Sequence, residues 1–166
     1  SSVSLSPLDY AIQLNNILPN EITTIVGHSF GGRVAVHLSL LRNIQNLVLV
    51  AVPLIKIKKP NKSINKLTLF KKLYKYGLIS KSNLESVKNK MGSADYRNSN
   101  GVMRETLVKA VNDDLHEKLG LIQSNVFLIW GENDTEVPVS VANEANLLIN
   151  NSQLTIIPNE GHNIVR

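Results

Sequence analysis

The stretch from Ile22 to Leu41 constrains this chain more than any other. A β-branched run, Ile22-Thr23-Thr24-Ile25-Val26, meets Gly27-His28-Ser29-Phe30-Gly31-Gly32, which predicts a short buried strand ending at a sharp turn. From Gly31 to Leu41 the residues Val34, Ala35, Leu38 and Leu41 recur at helical spacing. That segment is apolar nearly all round and predicts a buried helix. A second apolar run, Leu47 to Val52, ends at Pro53. Strand, helix and strand at this spacing imply a parallel pair joined by a right-handed crossover.

The flanking sequence extends the pattern. Asp9 to Leu18 reads as a helix, with Tyr10, Leu14, Ile17 and Leu18 on one face and Pro19 at its end. Val126 to Trp130 and Leu154 to Ile157 read as further strands, with a helix over Ala142 to Ile149 between them. From Pro53 to about Leu119 only helices are expected, over Ser63–Tyr76, Asn83–Lys90 and Val102–Asn112. The fold class is therefore α/β, a three-layer α/β/α sandwich with a mostly parallel sheet. Residues 1–52 and 120–166 form its core, and residues 53–119 are a helical insert, because a structureless loop of that length is improbable.

Composition narrows the function classes. The 166 residues suit one domain with a substantial core. The absence of cysteine excludes a disulfide scaffold, thiolate metal sites and a cysteine nucleophile, and fits a reducing, cytoplasmic compartment. No apolar run of about 18 residues is present, so no membrane-spanning helix is expected. Aromatic residues make up 5% of the chain, too few for a base-stacking surface, and no nucleic-acid partner is expected. Between Lys56 and Lys90 stand eleven lysines and one acid, Glu85, a local charge of +10 on a chain whose remainder carries −5. Such an insert attracts anionic substrates or surfaces, although 20 Asn and 13 Lys against 5 Arg also match AT-rich coding. The chain opens at Ser1 without a methionine or a basic-then-apolar leader, and it stops soon after His162. It is expected to be a fragment of a longer protein.

Gly27 to Gly31 fits G-x-S-x-G between a strand and a helix, the context in which a serine is held on a strained, exposed turn. Gly27 and Gly31 are expected to flank Ser29 because a Cβ there would strike the neighbouring strand and helix, with His28 packed beside the turn. The Phe30 backbone N–H, at the helix start, is placed to donate to an oxyanion. A serine hydroxyl needs a base, and a base needs an orienting carboxylate. His37 lies on the buried helix and His116 near the end of the insert. His162 falls in a loop directly after the last strand and is the expected base. The expected acid is Asp134, in Trp130-Gly131-Glu132-Asn133-Asp134, with Glu132 and Glu136 as competitors and turn capping as its alternative role.

The Gly-His-Ser-Phe-Gly-Gly turn, the Trp-Gly-Glu-Asn-Asp segment and the Gly161-His162 pair together resemble the α/β-hydrolase fold superfamily. The likeness is to its small, lid-bearing esterase, lipase and peroxidase-like members. It covers nearly the whole chain; Gly92 to Arg97 with Met103 to Thr106 resembles bacterial members. The resemblance implies Ser29 as nucleophile, Asp134 as acid and His162 as base, with the helical insert as a cap over the pocket. It implies no metal and no organic cofactor. It also implies strands before the turn, whose loop supplies a second oxyanion N–H, and a helix after His162; neither stands in this chain.

The expected reaction is cleavage of a small ester-like substrate through an acyl-enzyme. Carbon–carbon, amide or thioester hydrolysis on the same residues, and a non-catalytic binding module, are the alternatives. Leu69, Phe70, Leu73, Tyr74, Tyr76 and Met91 are available to shape a pocket or simply to pack the cap. The basic cap helix also offers a membrane-surface contact.

Overall fold

We describe the chain from a computed structural model covering residues 3–56, 66–83 and 99–165. It divides into two compact units, Ser1–Ile57 with Glu105–Arg166, and Lys58–Arg104.

The first unit is built on a four-stranded sheet in the order β1-β2-β3-β4, parallel throughout. The strands are β1 (Thr24–His28), β2 (Asn46–Val50), β3 (Asn125–Gly131) and β4 (Ser152–Ile157). Helix α1 (Pro7–Ile17) precedes β1, and α2 (Phe30–Leu41) joins β1 to β2. Helices α4 (Gly101–Asn112) and α5 (His116–Leu119) lead into β3, and α6 (Val139–Leu148) joins β3 to β4. Helix α3 (Lys66–Lys75) belongs to the second unit. There Phe70 and Leu73 are half-buried and Tyr74 and Tyr76 are exposed. The expected helix over residues 83–90, Met91 and the 92–97 segment lie outside the described residues.

Every expected strand and helix of the first unit forms, with ends shifted by up to three residues. The shifts follow from pairing. Strand β1 begins at Thr24, two residues later than its β-branched run suggests, because Thr24 is opposite Asn46 and His28 opposite Val50 in a single register. Helix α1 starts earlier than its apolar face predicts, because Ser6 caps it. The Ser6 side chain accepts from the Asp9 N–H at 3.2 Å, and Asp9 Oδ2 accepts from the Ser6 N–H at 2.7 Å. Pro7 then takes the first helical position, where a missing N–H costs nothing.

Side chains alternate across the sheet and sort its two faces. Leu47 and Leu49 stand level with Val126 and Leu128 and are fully buried. Ala35 and Val36 of α2, Val141, Ala142 and Ala145 of α6, and Leu115 and Leu119 at α5 join them in one core. Leu54 and Ile55, just beyond β2, belong to that core too. Helix α1 packs on α2, with Ala11 against Val34 and Leu38. The sheet and one helical layer of the expected sandwich are thus formed by described residues. The opposite face carries Val26, 66% exposed, and Phe127, 37% exposed.

Helix α2 is buried from Gly32 to Leu38, as its all-round apolarity predicts, but it also carries Arg33 and His37 inside. His37 Nε2 lies 2.8 Å from Asp113 Oδ2, and the Arg33 guanidinium donates to the Asp113 carbonyl. Burial lowers the proton affinity of Arg33, while Asp113 and Asp114 act in the opposite sense. Buried polar groups persist only when satisfied in this way.

The cap of α1 makes a pH-dependent contribution. Hydrogen bonds from Ser6 hold the Asp9 carboxyl below its ordinary value. A depressed carboxylate stabilises the fold fully above its unfolded pKa, about 3.9, and that contribution is lost as pH falls through the lower folded value. Replacing Ser6→Ala is expected to cost about 1 kcal/mol near neutral pH. Thermal melts of wild type and Asp9→Ala at pH 6 and at decreasing acid pH should show a gap that narrows on acidification.

Candidate functional site

Strand β1 ends at His28, and the chain enters α2 at Phe30. Ser29 between them has φ 48° and ψ −114°. That conformation is rare for a residue with a side chain and costs on the order of 1–3 kcal/mol unless its surroundings enforce it. They do so here. The Ser29 N–H donates to the Val50 carbonyl at 3.0 Å, and the Ser29 carbonyl accepts from Gly32 N–H at 3.2 Å.

The turn is too tight for side chains at two places. A Cβ on Gly27 would stand 2.6 Å from Gly32 Cα, and one on Gly32 would stand 2.1 Å from Val52 Cγ2. Gly31 departs from the expected pattern: a Cβ there meets nothing within 4 Å. The backbone of Gly31 and Gly32 approaches Gly27 closely, but the Cβ position of Gly31 points to open space, so the crowded side-chain positions are Gly27 and Gly32. Phe30 turns its ring onto Tyr10 of α1, edge to face at 5.6 Å. Its N–H lies in the first helical turn, where no intrahelical carbonyl can accept it, and so remains available to a ligand.

The structure brings Ser29, His162 and Asp134 together. His162 Nε2 lies 3.1 Å from Ser29 Oγ, and His162 Nδ1 lies 2.9 Å from Asp134 Oδ2. A carboxylate accepts, so Nδ1 carries the proton, and Nε2 is left to accept the serine hydroxyl. The Asp134 side chain is fully buried and the His162 side chain is 11% exposed. The other carboxylate oxygen, Oδ1, accepts from the N–H groups of Glu136 at 2.9 Å and Val137 at 2.8 Å. Trp130 steadies the same loop by donating from Nε1 to the Val137 carbonyl at 2.8 Å.

Two loops must meet for this contact, one after β3 and one after β4. The Glu132 N–H donates to the Ile157 carbonyl at 3.0 Å, and the Asn133 N–H to the Glu160 carbonyl at 2.8 Å. Glu132, a competitor for the acid position, is instead a staple: its Oε2 accepts from the Asn159 N–H at 3.1 Å. That bond supports a left-handed turn at Asn159, φ 61°, a conformation asparagine tolerates better than most residues. Gly131 lets the loops touch, because a Cβ there would stand 2.3 Å from the Gly161 carbonyl oxygen. Glu136 is exposed.

The remaining histidines have other places. His37 pairs with Asp113, and His116 Nε2 approaches Glu144 Oε1 at 3.7 Å. His28 Nε2 lies 3.0 Å from the His162 carbonyl oxygen, a contact with no local sequence signal across 134 positions. Among the described residues no group of three His, Cys, Asp or Glu side chains is placed to hold a metal ion. No helix there is long and apolar enough to cross a membrane.

No protein-family model matches this sequence, and no curated protein does. Solved structures do. An esterase from Exiguobacterium antarcticum superposes with a TM-score of 0.69 at 14% identity, over 99% of this chain and 69% of that one. The meta-cleavage product hydrolase from Pseudomonas fluorescens IP01 gives 0.61 at 17%, over 96% and 65%. An N-acyl homoserine lactone degrading enzyme gives 0.66 at 17%, over 98% and 70%. This chain has the α/β-hydrolase fold. It spans about two-thirds of the length of those structures. In α/β sheets the carboxyl ends of the strands are where functional groups gather, and the loops after β1, β3 and β4 here bring Ser29, Asp134 and His162 to that edge.

The glycine geometry is testable in this α/β-hydrolase fold. Gly32→Ala is expected to destabilise by about 1–3 kcal/mol through overpacking against Val52. Gly31→Ala should change stability by less than about 1 kcal/mol, since its space is open. Paired denaturant titrations measure both.

Proposed function

We propose that the protein is a serine hydrolase that cleaves an ester-like carbonyl substrate through an acyl-enzyme intermediate. The observation that carries this reading is the continuous chain from Ser29 Oγ to His162 Nε2 at 3.1 Å and from His162 Nδ1 to Asp134 Oδ2 at 2.9 Å. The names of the structurally similar proteins, esterase, hydrolase and lactone-degrading enzyme, support the same class.

In this reading Ser29 Oγ attacks the carbonyl carbon while its proton passes to His162 Nε2. Asp134 holds the ring in the tautomer that accepts that proton and stabilises the imidazolium that results. The Phe30 N–H donates to the oxygen that becomes negative, where one such donor is worth about 10²–10³ in rate. The tetrahedral adduct collapses, the bond to the leaving alcohol breaks, and His162 returns the proton to it. Water then attacks the acyl-enzyme by the same route, releasing the acid and restoring Ser29. The nucleophile, the base and the acid of these steps are side chains of this chain, and the steps call on no cofactor.

Carbon–carbon, amide and thioester cleavage would use the same nucleophile, so the bond cleaved is a matter for a substrate panel rather than for these three residues. The substrate is expected to be a small molecule. A non-catalytic binding role is the opposing reading, and activation of Ser29 separates the two.

A fluorophosphonate probe followed by intact mass is the direct test. The full chain should take a single adduct that is absent in Ser29→Ala. Asp134→Asn should slow labelling and ester hydrolysis by roughly 10⁴, the size of effect seen when a base is left in the wrong tautomer. A folded full-length gene product that takes no adduct would refute the hydrolase assignment.

A further inference from the structure

The geometry points to His28 as a positioning residue that sets the alignment of the His162 ring on Ser29 Oγ; this rests on the serine-hydrolase reading above.

His162 sits in a segment without regular secondary structure, beyond the end of β4. Its ring is held on one side by Asp134. The ring's position also depends on where the backbone of residue 162 stands. The His162 carbonyl oxygen lies 3.0 Å from His28 Nε2, and a carbonyl only accepts, so His28 carries its proton on Nε2 and donates. The two rings lie 5.2 Å apart, centroid to centroid, tilted by 45°.

His28 is also the residue immediately before the nucleophile. Its backbone lies in β1 opposite Val50, and the next N–H, that of Ser29, bonds the Val50 carbonyl. One residue therefore fixes the serine through its main chain and the base through its side chain. The Ser29–His162 distance is then closed by a short rigid path rather than by the long route through β3, β4 and their loops. Alignment of this kind governs rate steeply, since a misplacement of about 1 Å can cost on the order of 10².

The role depends on a donor at the Nε2 position, which gives a stereochemical test. Glutamine places an amide N–H near the Nε2 position of histidine, whereas asparagine reaches only as far as Nδ1. For the full chain, His28→Asn should lower kcat for ester hydrolysis, and the rate of fluorophosphonate labelling, by about 10–100-fold with little change in KM. His28→Gln should recover most of that loss. Ring ¹⁵N resonances of His162 should shift in His28→Asn and return towards wild type in His28→Gln, and His28 should show a protonated Nε2.

Asparagine and glutamine variants that both react at the wild-type rate would overturn the proposal. So would an equal loss in both, or His162 resonances indifferent to the Asn substitution. If the wild type itself takes no probe while the ¹⁵N pattern follows the prediction, the hydrolase reading fails and the alignment role stands.

Discussion

The backbone of Ser29 sits where few side-chain residues sit, and the rest of the site depends on its being held there. At φ 48° and ψ −114° the residue turns the chain from strand to helix in a single step. The restraint comes from the neighbouring strand, through the Val50 carbonyl, and from the absence of side chains at Gly27 and Gly32. Those glycines let α2 lie close against β1 and β2, with Val52 filling the remaining space. The core that pays for the strain is the same one that fixes the sheet: Leu47, Leu49, Leu128 and Trp130 under α2 and α6.

A second constraint acts at the other side of the sheet's edge. Asp134 and His162 are carried by separate loops, and neither loop has a secondary structure of its own. They are fastened to each other through Glu132, Asn133, Ile157, Asn159 and Glu160, across the gap that Gly131 leaves open. Asp134 is fully buried with hydrogen-bond donors at both oxygens, which is what makes burial of a carboxylate tolerable. A site assembled from β1, β3 and β4 is thus braced by main-chain bonds between loops, and its side chains inherit that rigidity.

Charge is distributed by the same logic. Four acidic residues of the first unit are engaged in a helix cap, an ion pair, a loop staple and the His162 contact: Asp9, Asp113, Glu132 and Asp134. Arg33 and His37 lie inside the helix that follows Ser29, satisfied by Asp113. Helical periodicity marks α2 as buried but is silent on how its polar members are paired, because their partner is some 80 residues away.

Local pattern alone was enough for the strand–turn–helix around Ser29, for the parallel strands, and for placing Asp134 and His162 in loops directly after strands. These are written in short windows: β-branched runs, helical spacing, and glycines where a Cβ has no room. Strand ends, the staple that Glu132 makes to Asn159, the crowding at Gly32 rather than Gly31, and the bond from His28 to His162 are not written there. Each depends on a register or a contact between segments far apart in sequence, 134 residues in the last case. Neighbouring residues determine what a segment prefers to be; which atoms it meets is decided only when the sheet closes and the core packs.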